Sequence, residues 1–296
     1  MRRRSSLRPA TSSPDALGDL AIGKIEGFFG PASMTWRVNR EAAIYLGGLR
    51  ALLMQIAHPK VAQGVADHSD YRRDPLARLR RTFDTVHALV FGTRDEALRA
   101  ARRLQNVHSK VRGELEPPVA GHSKSYFAND PELLLWVHAT LVDSSIFSYR
   151  TLVGPLEGAD LDRYYSESRT FARLVGLGPK QVPASIEGFR RYFDRMIAGD
   201  ELTVTPTALE VADSLLKGPP LLYLFRPSNY VLAAGMLPAP LRERFGLSWA
   251  LPVRAAYGLG VSLVRGIVPR LPSQLRFVPS SRRAERRCLR HSRLAA

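Results

Sequence analysis

From Asn129 the chain reads N-D-P-E-L-L-L-W-V-H-A-T-L-V-D-S-S-I-F, which is too apolar for a surface element. Asn129 or Asp130 can cap a helix there and Pro131 can open it, since proline lacks only an N–H that would be unpaired at that position. Leu134, His138, Leu141, Val142 and Ser145 then fall on one stripe. Such a helix has to be surrounded, and the rest of the chain supplies helices to do it. The stretch R-V-N-R-E-A-A-I-Y-L-G-G-L-R-A-L-L-M-Q-I-A-H, closed by Pro59, reads as a second buried helix on the spacing of Ile44, Leu46, Leu49, Leu52, Leu53 and Ile56. His58 terminates it, a short helix runs from Lys60 to Asp67, and His68 begins a polar turn. Leu161 to Val175, ending at Gly176, Ile186 to Met196 and Thr205 to Leu216 again show helical spacing. Later segments are short and proline-punctuated up to about Leu271. No run alternates apolar and polar residues, and no repeat of fixed period occurs. The expectation is an all-α protein with one main domain.

The stretch from Pro75 to Gly113 predicts two further helices. Pro75 opens the first, which reaches Gly92; Thr93 with Glu96 forms a capping box for the second, which runs to Gly113. Arg78, Arg81, Thr82 and Thr85 recur at three and four residues and share a face, and His108 stands one turn before Arg112. An imidazole facing a basic helix suits a bound cofactor that carries negative charge.

The net charge is +16, and part of it lies at the ends: Arg2, Arg3 and Arg4, then Arg282, Arg283, Arg286, Arg287, Arg290 and Arg293. Residues 1–20 read as a disordered basic segment, residues 21–272 as a single helical domain, and residues 273–296 as a solvated basic tail. Such ends offer a peripheral contact with an anionic membrane; with no aromatic platform between the arginines, specific nucleic-acid binding is not expected. The lone Cys288 excludes an intrachain disulfide and a thiolate metal cluster. The N-terminus lacks the apolar core of a signal peptide, and no uninterrupted apolar run reaches the roughly 18 residues of a spanning helix. The nearest, Leu221 to Leu237, is broken by Arg226, Pro227, Ser228 and Asn229. A cytoplasmic protein, peripheral to a membrane at most, is expected.

Several chemistries are excluded by missing patterns. There is no Glu-x-x-His for a di-iron bundle, no H-E-x-x-H, no G-x-x-x-x-G-K followed by Ser or Thr, no G-x-G-x-x-G and no G-x-S-x-G. Of the histidines, His122 and His291 read as exposed and His87 lies on the first helix of the central pair, whereas His58, His68, His108 and His138 lie in or beside helices. Each, taken singly, can be a satisfied core histidine. Haem would need a helical pocket, a neutral imidazole and cations for its propionates; His108 with Arg78, Arg81 and Arg112 can supply them.

The segments H-P-K-V-A-Q-G-V-A-D-H-S, R-L-R-R-T, V-H-S-K-V-R-G and W-V-H-A-T-L-V-D-S occur in that order. In them the chain resembles the bacterial and fungal oxygenase family that includes latex clearing protein and the fungal mycophenolic-acid oxygenase. The resemblance spans roughly Gly27 to Gly260 and implies a globin-like helical bundle enclosing a b-type haem, with O₂ as co-substrate. It implies His108 as the proximal iron ligand, Arg78 and Thr82 beside the haem, and His138 as a further histidine near it. Two positions depart from the rubber-cleaving members. Arg81 stands where they carry a lysine that can sit distal to the iron; being permanently protonated, it is a poor ligand and is expected to donate hydrogen bonds to O₂ or a propionate. The glutamate proposed as their base falls near Ala62 and Gln63, neither of which can take a proton.

The expectation is thus a haem-dependent oxygenase acting on an apolar, isoprenoid- or lipid-like substrate, served by an electron donor. Arg81 and Thr82 are its expected catalytic pair, Arg78, His108, Arg112 and His138 its haem-binding residues, and His108 its metal ligand. The alternative is a haem protein without turnover: an O₂ sensor, carrier or haem store.

Overall fold

Helix α6 (Pro131–Leu152) is the buried axis of the computed structural model, which describes residues 22–69, 75–218 and 226–295, side chains of 75–79 and 295 apart. Asp130 caps it, its side chain accepting from the Glu132 N–H at 2.9 Å, and Pro131 opens it as expected. Burial recurs along its whole length, from Leu133 to Leu152. Ahead of it come α1 (Met34–Asn39), a 3₁₀ turn (Ala42–Gly47), α2 (Gly48–Ile56), α3 (Pro59–His68), α4 (Pro75–Phe91) and α5 (Arg94–His108). After it come α7 (Gly158–Leu174), α8 (Ile186–Ala198), α9 (Pro206–Lys217), α10 (Arg226–Met236) and α11 (Ala239–Arg244). The chain finishes with α12 (Leu251–Ile267), α13 (Ser273–Arg276) and α14 (Pro279–Ala295). The fold is all-α, as the periodicity predicts.

The buried segment before Pro59 packs directly on α6. It enters as a 3₁₀ turn whose last residue, Gly47, lies against α6: a Cβ there would stand 2.0 Å from Ser148 Oγ. Trp136 is fully buried and donates its indole N–H to the Met54 carbonyl at 3.1 Å, while Gln55 donates to Thr140 Oγ1 at 3.1 Å. The buried Arg50 donates to Met236 O and Ser144 Oγ, both at 2.8 Å, beside the Asp143 carboxylate, tying α2, α6 and α10. Around this seam Tyr165, Phe189, Phe193, Val211 and Ala234 complete the main core.

Three expectations are corrected. The helix from Thr93, expected to reach Gly113, ends at His108, and Arg112–Glu114 pairs antiparallel with Ser125–Phe127. Gly113 lies opposite Tyr126, where a Cβ would stand 2.6 Å from the phenol oxygen, so the ring closes over a residue without a side chain. Strands of three residues are too short to leave an alternating pattern. Next, the segment after Ala250 is not broken into short pieces: α12 is continuous because Pro252 falls in its first turn, where proline costs no hydrogen bond. Helix Leu251–Arg270 is long and apolar enough to cross a membrane by length and composition, and none of it is buried. In the Leu221–Leu237 run, residues 221–225 lie outside the described residues and Ala233, Ala234 and Met236 of α10 are buried.

The third correction concerns the basic C-terminal tail, residues 273–296, which is packed rather than solvated. Ser281, Ala284 and Cys288 follow at three and four residues and are buried, and α14 lies against α4. Arg287 donates to Ile25 O at 3.2 Å and to Phe91 O at 2.7 Å. The basic residues 1–20 lie outside the described residues.

Arg276 holds the C-terminal section to the start of the domain. Its guanidinium makes a fork of 2.8 and 2.7 Å with the carboxylate of Glu41, which is 1% exposed. Removing one partner of a buried pair strands the other. Arg276→Ala is therefore expected to destabilise the fold by about 3–5 kcal/mol, read as a lower urea midpoint. The Glu41→Gln/Arg276→Met double variant should recover most of that loss.

Candidate functional site

The C-terminal end of α5 is positioned by side-chain bonds to its neighbours. Thr93 and Glu96 form the expected capping box at its start, at 3.2 and 2.7 Å. At the other end Gln105 donates to Leu174 O of α7 at 3.5 Å, and Asn129 donates to Gln105 O at 3.4 Å. Gly176, at φ +106°, makes the turn after α7; a Cβ there would meet Gln105 Nε2 at 3.4 Å and Leu134 Cδ1 at 3.8 Å. Leu134 belongs to α6. The last turn of α5, the first part of α6 and the end of α7 thus converge on one glycine. His108 lies one turn beyond Gln105, and His138 one turn beyond Leu134.

Both imidazoles have a buried nitrogen without a partner. His138 is 2% exposed and stacks on Phe171 of α7, with ring centroids 6.1 Å apart at 20°. Neither its Nδ1 nor its Nε2 has a hydrogen-bond partner, and burial pushes it down to about 4. His108 Nδ1 is likewise buried without a partner, and burial lowers its affinity for a proton. The Asn129 Oδ1 is unsatisfied in the same region. A buried polar atom without a partner costs on the order of 1–3 kcal/mol, so such atoms call for an explanation. Neutral imidazoles with free nitrogens are what a metal centre requires of histidine. Among the described residues no three His, Cys, Asp or Glu side chains gather as a bare ion would need. A metal already held within a macrocycle needs only one or two ligands from the protein, and in that respect the donor set fits haem.

Of the cationic residues expected around His108, Arg81 and Arg112 are exposed. The Arg78 side chain lies outside the described residues. Arg81 and Thr82 are on the exposed part of α4, where the Thr85 hydroxyl donates to Arg81 O at 2.9 Å. Arg112 is exposed, lies 5.5 Å from the Phe127 ring centroid, and donates to Ser109 O at 2.7 Å, capping the end of α5 instead.

Three other histidines have structural partners. His58 opens α3 rather than closing α2: its Nδ1 accepts from the Lys60 N–H at 3.2 Å. His68 Nε2 lies 3.1 Å from Arg112 O, and His87 Nε2 lies 2.9 Å from Tyr45 Oη. Ala62 is fully buried. Gln63 donates to Asp67 Oδ1 at 2.9 Å and Tyr126 donates to Asp67 Oδ2 at 2.6 Å, so the carboxylate of that region lies one turn beyond Gln63. Gln105 and Phe171 carry no sequence motif of their own; the stop at Gly176, the cap at Asn129 or Asp130 and the segment holding Asp67 are legible in the sequence.

Fold and site define a helical protein whose core holds a neutral imidazole, His138, with neither nitrogen partnered. Residues 36–268 match the family described as ER-bound oxygenase mpaB/B'/rubber oxygenase, catalytic domain, and the chain belongs to that family. It is also 26% identical over 220 residues to Uncharacterized protein Rv2237 of Mycobacterium tuberculosis and, to the same degree, to Uncharacterized protein Mb2261 of Mycobacterium bovis, covering 72% of this chain and 84% of each relative. No solved structure matches it.

Burial, with the positive charge of His122 and Lys60 nearby, pushes His58 down to about 3. Unfolded, a histidine titrates near 6.5. The stability that neutral His58 contributes is therefore complete above about pH 6.5 and lost as pH falls toward its folded value, by up to about 1.4 kcal/mol per pH unit. The urea midpoint should drop between pH 6.5 and 4.5, and drop less steeply in His58→Asn, which keeps a capping acceptor.

Proposed function

We propose that the chain is a haem-dependent oxygenase whose iron is held by His108 and whose substrate is an apolar, isoprenoid- or lipid-like molecule. The observation that carries this reading is the buried, unpartnered ring nitrogens of two histidines: Nδ1 of the half-buried His108, and both Nδ1 and Nε2 of the buried His138. Membership of an oxygenase family supports the reaction class. Haem supplies the activation of O₂ when bound. The chain's own residues do the rest. Burial keeps His108 unprotonated, so its lone pair is available at neutral pH. His138, held by its stack on Phe171, presents a neutral donor-acceptor ring inside an apolar wall. Leu133, Leu134, Trp136 and Val142 exclude water from α6, which strengthens any polar contact made there.

Arg81 and Thr82 are proposed to donate hydrogen bonds where negative charge develops on oxygen, and Arg78 and Arg112 to neutralise carboxylates. An electron donor completes the cycle. Neither Ala62 nor Gln63 can take a proton, so rubber cleavage through a base at that position is not part of the proposal.

The test is an absorption spectrum of the chain expressed with haem supplementation, before and after reduction and with CO. The wild type should show a Soret band that shifts at each step, and His108→Ala should lose it; an unchanged band in that variant overturns the assignment. Arg81→Ala should keep the band and slow substrate-dependent O₂ uptake by roughly tenfold or more. Haem binding with no O₂ uptake on any apolar substrate would leave a carrier, sensor or store instead.

A further inference from the structure

Helix α12 is packed on one side only. Val253, Tyr257, Val261, Val264 and Val268 recur at three and four residues and are half-buried against the body of the protein, around Ala43, Leu152 and Met236. The fit is close: a Cβ on Gly235 would stand 2.2 Å from the Tyr257 ring. The opposite side presents Leu251, Leu259, Leu263 and Ile267 at 76, 73, 59 and 46% exposure, with Pro252, Ala255 and Ala256 between them. At about 100° per residue no charge falls on that face. Arg254 and Arg265, three turns apart, fall together along one flank, and both are exposed. From Arg244 to Ala284 the chain contains seven arginines and no Asp or Glu.

An exposed leucine face of this size on an otherwise well-buried protein marks a contact surface. Its chemistry selects among occupants. A second copy packed face to face would bring like-charged flanks together with no acid in this stretch to pair them. A bilayer-spanning role would strip the valine face from its packing against the body of the protein. A helix lying in the membrane plane meets neither obstacle: leucines enter the acyl boundary while arginines reach phosphates beside them.

We propose that α12 seats the protein on an anionic lipid bilayer, with Leu251, Leu259, Leu263 and Ile267 inserted and Arg254 and Arg265 on lipid phosphates. The attachment is through this helix face and not through the basic ends of the chain.

The test is co-sedimentation of the full chain with vesicles of phosphatidylcholine alone or mixed with phosphatidylserine. The wild type should partition onto the mixed vesicles and much less onto the neutral ones. Leu259→Glu/Leu263→Glu should weaken partitioning roughly tenfold or more, with far-UV circular dichroism and melting temperature unchanged because both side chains are exposed. Arg254→Glu/Arg265→Glu should abolish the preference for phosphatidylserine. Arg2→Ser/Arg3→Ser/Arg4→Ser should bind as the wild type does. Wild-type binding by the leucine variant overturns the proposal. So does a chain that never sediments with vesicles, including one that forms a dimer the leucine variant abolishes.

Discussion

Everything in this protein is arranged around the need to bury α6. A helix satisfies its backbone hydrogen bonds internally, but one with Leu133, Trp136, Ala139, Val142, Ile146 and Tyr149 around its circumference has no side to leave in water. Helices α1, α2, α7 and α12 therefore pack against it, and its polar residues must find partners inside the protein. Thr140 finds Gln55 and Ser144 finds Arg50. His138 finds none on either nitrogen, although it is as deeply buried as its neighbours. Among the described residues no other side chain has two unpartnered nitrogens, and the functional reading of the core therefore turns on this residue.

The large positive charge is only partly an electrostatic surface. Arg150 donates twice to Leu156 O, Arg244 to Leu202 O, Arg287 to Phe91 O and Arg50 to Met236 O. These guanidiniums clamp backbone carbonyls: those of Phe91 and Met236 end α4 and α10, where the last carbonyls lack a partner of their own, and those of Leu156 and Leu202 lie in connecting loops. Arginine suits the task because its planar fork can reach a carbonyl while its stem covers apolar surface. Net charge alone therefore overstates how much of this protein attracts an anion, and the flank of α12 differs because its arginines stay exposed beside an apolar face.

Local chemistry made much of the helical skeleton legible. Pro75 and Pro131 each open the helix they were expected to open, and the Thr93–Glu96 box forms with both hydrogen bonds. These signals act within one turn, so no distant residue can overrule them. The end of α5 escaped because it depends on Tyr126 lying across Gly113, a contact between residues thirteen positions apart. The packing of α14 escaped for a related reason: Ala284 and Cys288 mark a buried face only once α4 is there to receive it. Capping of α3 by His58 was hidden because histidine seldom serves as a cap.

The sequence by itself determined the all-α class, the buried character of α6 and the helices that carry His108 and His138, since apolar periodicity and caps are properties of neighbouring residues. Tertiary structure alone decided which imidazoles lose their hydrogen-bond partners, that Arg81, Thr82 and Arg112 stay in solvent, and which side of α12 faces outward. Those outcomes depend on desolvation, and a residue loses water only when segments remote in sequence close over it.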